Sequence, residues 1–199
     1  APDRYSGADF LLRAESDLQR YNDWIVASLV RAMTTAGLAR PQRVLDFGCG
    51  IGTLSRIFER RTGVRPEGVE IDAGQLALYR ERGFAGHAAL AAARTDYEII
   101  FTSNVLEHIP DDRASLRELH AHLSPGGLLL VYVPAFALLW TRMDDKVGHQ
   151  RRYTRGGLET RLRQTGFTVL SSRYCDSLGF LAALAFRAFL QLLEFFLSG

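Results

Sequence analysis

A short glycine-rich segment, DFGCGIG, is the part of the sequence whose residue types most clearly indicate chemistry. It begins at Asp46, after a short apolar run, and precedes a stretch in which apolar residues have helical spacing. Glycines at such a turn let the backbone approach a ligand closely. The dinucleotide-binding pattern G-x-G-x-x-G/A would need Gly or Ala at Thr53 or Ser55, and neither is present. A carboxylate at Asp46 would also oppose a pyrophosphate, so the loop indicates a ligand that carries a cationic group.

An acidic residue follows this loop at a spacing typical of a ribose-binding group. Glu70 lies eighteen residues beyond Gly52, at the end of a strand-like segment. Its carboxylate can accept a hydrogen bond from each of two ribose hydroxyls. Together the two features predict a nucleoside that carries a positive charge and lacks a pyrophosphate. S-adenosylmethionine, with its ammonium, its sulfonium and its free ribose diol, meets that description.

Two histidines are candidates for accepting a proton from an acceptor. His149 lies in the segment DDKVGHQRRY, where a nearby carboxylate would orient its ring and raise its basicity. His108, in the turn LEH, is either a second base or a support for its own loop. Arg152 is a candidate for gripping a phosphate or carboxylate of the acceptor, and Tyr153 is a third catalytic candidate. The alternative is a solvated charged loop, which we prefer for Arg151.

The elements that must position these residues alternate between strand and helix. Residues 9–36 are typical of one or two helices, and the runs RVLDF, PEGVEID, YEIIFTS, LLLVYVP and FTVLSSRY then alternate with helical patterns. The alternation predicts an α/β fold, a Rossmann-like, doubly wound and mostly parallel sheet with helices on both faces. We expect LLLVYVP to be a buried strand and residues 154–166 to be helical. We expect one domain over residues 1–199, which consists of an N-terminal helical cap (9–40), a core (41–177) and an apolar C-terminal helix (178–199).

The composition excludes collagen-like, disordered and multi-span membrane proteins, and the charge argues against a nucleic-acid partner. The chain has 199 residues, of which 47% are hydrophobic and 23% charged, an ordinary globular composition. The formal net charge of +2 provides no broad field for nucleic acid, so we expect no nucleic-acid partner. Cys49 and Cys175 have no metal-ligand spacing and the histidines are scattered, so we predict no metal site and no disulfide framework. A reducing, cytoplasmic location follows as the default.

The C-terminal run at residues 178–197 is apolar except for Arg187, Gln191 and Glu194, which share one narrow stripe of a helix. One interpretation is a core helix or a homodimer contact. The other is a helix that lies in the membrane interface, which would make the protein peripheral at the inner face of the membrane. A true span is least favoured, because three polar groups interrupt the run. The N-terminus has no signal-peptide pattern.

Four motifs in order resemble those of the class I S-adenosylmethionine-dependent methyltransferases. VLDFGCGIG is similar to their first motif, GVEID to the acidic second, NVLEHI to the fourth-strand motif and LSPGGLLLVYVP to the fifth-strand motif. They cover about residues 43–134. RYNDW and DDKVGHQRRYT extend the resemblance to about residues 18–180, and they are similar to a bacterial subgroup associated with glycan and lipid glycosyltransferase genes.

The resemblance implies a set of cofactor-binding roles. The backbone of Gly48, Gly50 and Gly52 would line the methionine moiety, and Asp46 would attract its ammonium through water. Further residues of the implied cofactor site are Glu70 for the ribose, Ile71 for adenine, the Asn104 carbonyl for the ammonium, and Cys49 as a small filler of the loop. Tyr21 and Trp24, from the N-terminal helix, would either close over cofactor and acceptor or pack in the core.

Two departures from the family pattern affect the interpretation. GHAALAAARTDY is alanine-rich where the family has a polar group for adenine, so backbone groups or apolar residues such as Leu90 would hold the base. A seventh, antiparallel strand of the family has no counterpart, which suggests a truncated chain. We expect methyl transfer to an oxygen or nitrogen of a small or lipid- or glycan-linked acceptor, with S-adenosylhomocysteine as product. The alternative is a cofactor-binding pseudoenzyme that docks on a membrane or partner, and glycine spacing disfavours a nicotinamide-dependent oxidoreductase.

Overall fold

The computed structural model describes residues 8–175, which form five strands and seven α-helices joined by loops and short 3-10 turns. The helices are α1 (Ala8–Asp17), α2 (Gln19–Thr35), α3 (Thr53–Thr62), α4 (Ala73–Glu81), α5 (Asp112–Ala121), α6 (Arg142–Val147) and α7 (Arg155–Gln164). The strands are β1 (Val44–Phe47), β2 (Glu67–Val69), β3 (Gly86–His87), β4 (Tyr97–Ser103) and β5 (Leu123–Tyr132). The sheet has the order β3-β2-β1-β4-β5, and every neighbouring pair is parallel. The predicted Rossmann-like α/β fold is confirmed.

The strand order reverses at the centre of the sheet, and this reversal places the site. β1 pairs with β2 on one side and with β4 on the other, so Asp46 lies between Gly68 and Phe101. In open parallel sheets, ligands bind beyond the carboxyl ends of the strands at such a reversal. The loops that follow β1, β2, β4 and β5 therefore meet at one edge, and these loops carry the candidate residues.

Apolar helix faces cover both sides of the sheet. Residues of α2 and α3 pack on one side, where the Phe58 ring stacks on Phe101 of β4 with 5.1 Å between centroids. Leu116 and Leu119 of α5, with partly buried residues of α7, pack on the other side. Burial of each large apolar side chain stabilises the fold by about 1.5–3 kcal/mol. The packing of the two faces therefore holds the carboxyl edge in place.

The N-terminal segment forms two helices, α1 and α2, separated at Leu18, as the apolar pattern allowed. α2 is the longer helix and contributes four buried residues to the core, Ile25, Val26, Leu29 and Met33. α1 reaches the glycine loop, because the Leu11 side chain lies 3.2 Å from the position that a Cβ at Gly50 would occupy. The helical cap thus contacts the candidate cofactor loop directly.

Two sequence predictions about strands are wrong. FTVLSSRY forms no strand, because it has no sheet neighbour to pair with, and Leu170 is 68% exposed. β5 is partly exposed rather than buried, because among the described residues it pairs with β4 alone and lies at the edge of the sheet. Residues 154–166 do contain a helix, α7.

The apolar run at residues 178–197 lies outside the described residues. Within residues 8–175, no helix combines the length and the apolar character that crossing a membrane requires.

Candidate active site

The glycine loop is built from backbone conformations that other residues rarely adopt. Gly48, Gly50 and Gly52 all have positive φ angles, of 78°, 53° and 86°. The Val69 carbonyl accepts hydrogen bonds from the amides of both Gly48 and Cys49, at 2.9 and 3.0 Å. This anchors the loop to the end of β2.

Glu70 lies against this loop. Its two carboxylate oxygens accept hydrogen bonds from the amides of Gly50 (3.0 Å) and Asp72 (2.8 Å). Each carboxylate oxygen has a second lone pair, so the carboxylate can also accept from a diol. The next residue, Ile71, is 88% exposed, which leaves an apolar surface beside the carboxylate. An acidic group and an adjacent apolar surface fit a ribose and a base.

Asp46 is buried beneath the loop, where it accepts a hydrogen bond from Ser55 at 2.7 Å. Burial raises the pKa of Asp46 to about 7, and the nearby charge of Glu70 contributes to the rise. A carboxylate in that position gains from a cation that approaches the loop. The chemistry of the loop therefore fits a ligand with a positive charge.

Cys49 fills space, as expected from the sequence. It packs with Tyr79 and Phe84 in a small apolar cluster. Burial raises the pKa of its thiol, and the charges of Asp46 and Glu70 raise it further. Its amide and its carbonyl are engaged within the loop region by Val69 and Gly52. Burial and the nearby negative charges disfavour the thiolate form of Cys49, which excludes a nucleophilic role.

The loop after β4 packs against the glycine loop. Asn104 is exposed and has a φ of 54°, a left-handed conformation that Asn tolerates better than most residues. The next side chain, Val105, is so close to Gly48 that a Cβ there would lie 2.2 Å from Val105 Cγ2. The cofactor loop and the loop that carries Leu106–His108 are therefore in direct contact.

Beyond Val105, the two candidate histidines come together, although the sequence placed them apart. The rings of His108 and His149 meet edge to face, with 4.7 Å between centroids. His149 Nδ1 lies 2.7 Å from Asp144 Oδ1, and its Nε2 lies 3.9 Å from Glu107 Oε1. The histidines are scattered in the sequence, but in the structure Glu107, His108 and His149 have potential ligand atoms within 4.8 Å of one another.

Glu107 is the functional candidate that the sequence analysis missed. It is fully buried, and neither of its carboxylate oxygens has a hydrogen-bond partner. Burial raises its pKa to about 7, against the opposing charge of Arg152. A signal was available, since Glu107 directly precedes His108 at the carboxyl end of a predicted strand. Its burial and its lack of partners depend on tertiary structure and could not be inferred from the motif.

The structure assigns Arg152 to Asp144 rather than leaving it free for an acceptor. The guanidinium donates from Nε and Nη2 to the two carboxylate oxygens, at 2.7 and 3.0 Å. Burial alone would raise the pKa of Asp144, but donors from Arg152, Thr141 and His149 outweigh it and hold that pKa far below its usual range. Asp144 therefore stays ionised and fixes both Arg152 and His149.

Tyr153 and Arg151 support the turn that carries Glu107 and His108. The Tyr153 hydroxyl is buried, 2.8 Å from Asp112 Oδ2 and 3.2 Å from the Leu106 carbonyl. Burial and the Asp112 carboxylate raise the pKa of Tyr153 well above its usual value. Arg151, expected to be solvated, instead donates to the carbonyls of Leu106, Ile109 and Pro110. These contacts give both residues positioning roles, and a catalytic role for Tyr153 has no geometric support.

Tyr21 and Trp24 are partly exposed and contact each other and the end of β5. They are 37% and 38% exposed, and their rings stack at 6.2 Å. The Tyr21 hydroxyl lies 2.8 Å from that of Tyr132, at the end of β5. This aromatic group, which we define as Tyr21, Trp24 and Tyr132, lies at the carboxyl end of β5. Leu90, by contrast, is buried in the core.

The strand order, the glycine loop and the acidic residue at the end of β2 define a Rossmann-like methyltransferase of class I. Residues 17–172 match a family described as a methyltransferase domain, and the chain belongs to that family. Its cofactor is S-adenosylmethionine, and the described loop, Glu70 and Ile71 fit that molecule.

Several known proteins are similar to this chain over different lengths. A malonyl-[acyl-carrier protein] O-methyltransferase of Enterobacter lignolyticus is 25% identical over 188 residues, which cover 86% of this chain and 74% of that protein. A ubiquinone biosynthesis O-methyltransferase of Bradyrhizobium is 33% identical over 45% of this chain and 38% of its own length. The methyltransferase GfsG of Streptomyces halstedii matches over 55% of its length, so the chain spans about half or less of several relatives.

Solved structures support the fold. A putative methyltransferase in complex with the Haloferax volcanii activator Trm112 superposes with a TM-score of 0.67 at 14% identity, and the match covers 85% of this chain and 77% of that one. A phosphoethanolamine N-methyltransferase of Haemonchus contortus, solved with S-adenosyl-L-methionine, gives a TM-score of 0.56 at 20% identity over 64% of this chain and 33% of its own.

Proposed function

We propose that the protein transfers the methyl group of S-adenosylmethionine to an oxygen atom of a small-molecule acceptor. The observation that carries this proposal is the His149–Asp144 pair beside Glu107, whose own loop packs against the glycine loop through Val105. Two of the relatives that match the chain are named as O-methyltransferases, one of malonyl-[acyl-carrier protein] and one of ubiquinone biosynthesis. Their names support oxygen as the acceptor atom.

The cofactor would be held by the loops after β1, β2 and β4. The proposed binding groups are the Gly48, Gly50 and Gly52 backbone, Asp46 toward the ammonium, Glu70 toward the ribose, Ile71 toward adenine and the Asn104 carbonyl. When bound, the cofactor supplies a methyl group activated by a sulfonium. The role of these residues is alignment, which contributes up to about 7–11 kcal/mol to such a displacement.

His149 is suited to accept the proton of an acceptor hydroxyl. Because Asp144 remains ionised, it accepts a hydrogen bond from Nδ1–H, so the Nε2 of neutral His149 carries the lone pair. After proton transfer, the carboxylate stabilises the imidazolium. A carboxylate acceptor needs no base and would meet the negative charges of Asp144 and Glu107. The site therefore favours a hydroxyl or phenol over a carboxylate.

Arg152 holds Asp144 in place and thereby positions His149. The aromatic group of Tyr21, Trp24 and Tyr132 provides a surface for the body of the acceptor. Half-exposed aromatic rings beside a reaction site favour an aromatic or apolar ligand.

The test is transfer of labelled methyl from S-adenosylmethionine to a panel of phenols, sugar hydroxyls and carboxylic acids. We expect product with a hydroxyl class and a loss of about 10²–10⁴-fold in turnover for His149→Ala. Cofactor affinity should be unchanged in that variant. The matched control is His122→Ala, which alters a histidine at the end of α5 whose ring bonds the Glu118 carbonyl. Transfer to carboxylates alone, or equal turnover in both variants, would contradict the proposal.

A finer proposal is that the acceptor is attached to a lipid or glycan and that the protein works at a membrane surface. The apolar run at residues 178–197 supports it. Flotation with anionic liposomes, with and without residues 178–199, is the measurement. We expect the full chain to partition and the shortened chain to stay free, provided that both bind the cofactor equally. Equal partitioning of the two forms rejects the idea.

A further inference from the structure

The cluster of Glu107, His108 and His149 contains more titratable side chains than the proposed acid–base chemistry requires. One histidine and its carboxylate are enough to accept a proton, yet a second imidazole and a second carboxylate point into the same space. Glu107 has no exposed surface and no hydrogen-bond partner for either oxygen. A buried carboxylate in that condition is costly to the fold unless something binds it. Its orphaned oxygens point to a missing ligand.

The ligand atoms are close enough together to share one ion. They lie within 4.8 Å of one another, and His149 Nε2 is 3.9 Å from Glu107 Oε1. Atoms bound to one tetrahedral zinc ion at about 2.0–2.2 Å lie about 3.3–3.6 Å apart. The cluster therefore needs a contraction of up to about 1.5 Å, which is within the reach of side-chain rotation.

The surroundings of the two histidines include polar groups that orient their rings, and they leave Nε2 of His149 facing Glu107. Asp144 engages Nδ1 of His149, and backbone groups at Val147 and Gly148 hydrogen-bond the ring of His108. A carboxylate or carbonyl behind each ligating histidine is the usual support in metal sites, since it fixes the tautomer and raises ligand basicity. Arg152 donates its hydrogen bonds to Asp144, whereas the oxygens of Glu107 accept none, and His149 Nε2 approaches Glu107 Oε1 to 3.9 Å.

We propose that Glu107, His108 and His149 bind one divalent transition-metal ion, of which Zn²⁺ is the best match. Two imidazoles and one carboxylate are the ligands of catalytic zinc sites that keep a position open for water or substrate. Mg²⁺ is disfavoured, because it takes oxygen ligands. The role of the ion rests on the proposed function and replaces His149 as the group that activates the acceptor: the acceptor hydroxyl occupies the open position, its pKa falls, and its proton leaves to water, because His149 Nε2 is then a ligand and not a base.

Direct binding is the first measurement. Purified protein, freed of metal by a chelator and then desalted, is titrated with Zn²⁺ in competition with a chromophoric chelator. We expect one equivalent to bind, at least tenfold weaker binding in His149→Ala and in His108→Ala, and unchanged binding in the control His122→Ala. Absence of a site in the wild type, or equal binding in all four proteins, overturns the proposal.

Glu107→Gln keeps the proposal testable if a histidine variant folds poorly. It removes the charge but keeps the shape, so the metal-free protein should unfold at the same temperature or higher, while Zn²⁺ affinity falls at least tenfold. A purely structural carboxylate would give the reverse, a less stable protein with unchanged Zn²⁺ affinity, and that result overturns the site.

Turnover separates the ion from the proposed function. We expect chelated enzyme to lose at least tenfold in methyl transfer and one equivalent of Zn²⁺ to restore it. Full turnover in metal-free protein overturns the ion's role and leaves the methyltransferase proposal intact. Tight Zn²⁺ binding with no transfer to any hydroxyl acceptor supports the site and contradicts the proposed function.

Discussion

Asp46 is the residue whose ionisation decides how strongly a cationic ligand is held at the glycine loop. Its pKa is raised to about 7, chiefly by burial. A carboxylic acid is neutral below its pKa, so the attraction for an ammonium is present above pH 7 and fades below it. We expect the affinity for S-adenosylmethionine to be about tenfold lower at pH 6 than at pH 8, because one pKa unit corresponds to a tenfold change in protonation. Calorimetric titration at several pH values provides the measurement.

Asp46→Asn isolates this effect from other groups that titrate in the same range. The variant should bind the cofactor weakly at every pH, with a nearly flat profile. A wild-type profile that is itself flat between pH 6 and 8 would show that Asp46 does not act on the ligand's charge. The same pH dependence in wild type and variant would assign the titration to another residue.

At the scale of structural elements, the contact between the glycine loop and the loop after β4 requires that Gly48 has no side chain. A Cβ at Gly48 would lie 2.2 Å from Val105 Cγ2, whereas a Cβ at Gly63 would meet nothing within 4 Å. The two glycines have nearly equal φ angles, 78° and 75°. Gly48→Ala and Gly63→Ala therefore share the same backbone strain, about 1–2 kcal/mol, and differ in the steric clash.

We expect Gly63→Ala to cost only that strain and to retain cofactor binding. Gly48→Ala should cost about 1–3 kcal/mol more from overpacking and should abolish cofactor binding. Urea unfolding gives the free energies, and calorimetry the binding. Equal losses in the two variants would mean that the loops separate easily and that their contact is unimportant.

The segment between β5 and α7 is organised around another single group, Asp144. It receives hydrogen bonds from Thr141, from His149 and from two nitrogens of Arg152. Replacing Asp144 with Asn leaves a half-buried arginine without its partner, which costs about 3–5 kcal/mol when such pairs are broken. Turnover should also fall, because His149 loses its orienting acceptor.

The neighbouring Asp145 gives the matched control, since it is exposed and accepts one hydrogen bond from Trp140. Asp145→Asn should change the free energy of unfolding by no more than about 0.5 kcal/mol. Thermal and urea unfolding of the two variants measure the difference. Similar small effects in both would show that the segment does not depend on Asp144.

For the molecule as a whole, the cofactor is expected to act as a stabilising ligand. S-adenosylmethionine or S-adenosylhomocysteine at a hundred times its Kd should add about 2.7 kcal/mol to the free energy of unfolding. NADH should have no effect, because the glycine spacing and the buried Asp46 oppose a pyrophosphate. A thermal shift with NADH that equals the shift with S-adenosylhomocysteine would contradict the cofactor assignment.

The sequence predicted those parts of the molecule that depend on local pattern. The glycine loop, Glu70 and the alternation of strands and helices are read from neighbouring residues, and the sheet and the Gly50–Glu70 contact agree with them. The pairing of Arg152 with Asp144 cannot be predicted from the sequence, because it depends on how the segment between them folds. FTVLSSRY has the alternation of a strand, but a strand also needs a neighbour, and only the folded sheet decides that.

Ile71 has a thermodynamic consequence for the complete molecule. Full burial of an isoleucine side chain contributes about 1.5–3 kcal/mol of stabilisation. Because Ile71 is 88% exposed, the fold without a ligand gains little of that energy. A ligand that covers it recovers part of that energy and releases ordered water. The binding enthalpy of the cofactor should therefore become more favourable as temperature rises, the signature of a negative heat capacity change. Ile71→Ser should reduce the change of the binding enthalpy with temperature. Its loss of cofactor affinity should be largest at the highest temperature measured.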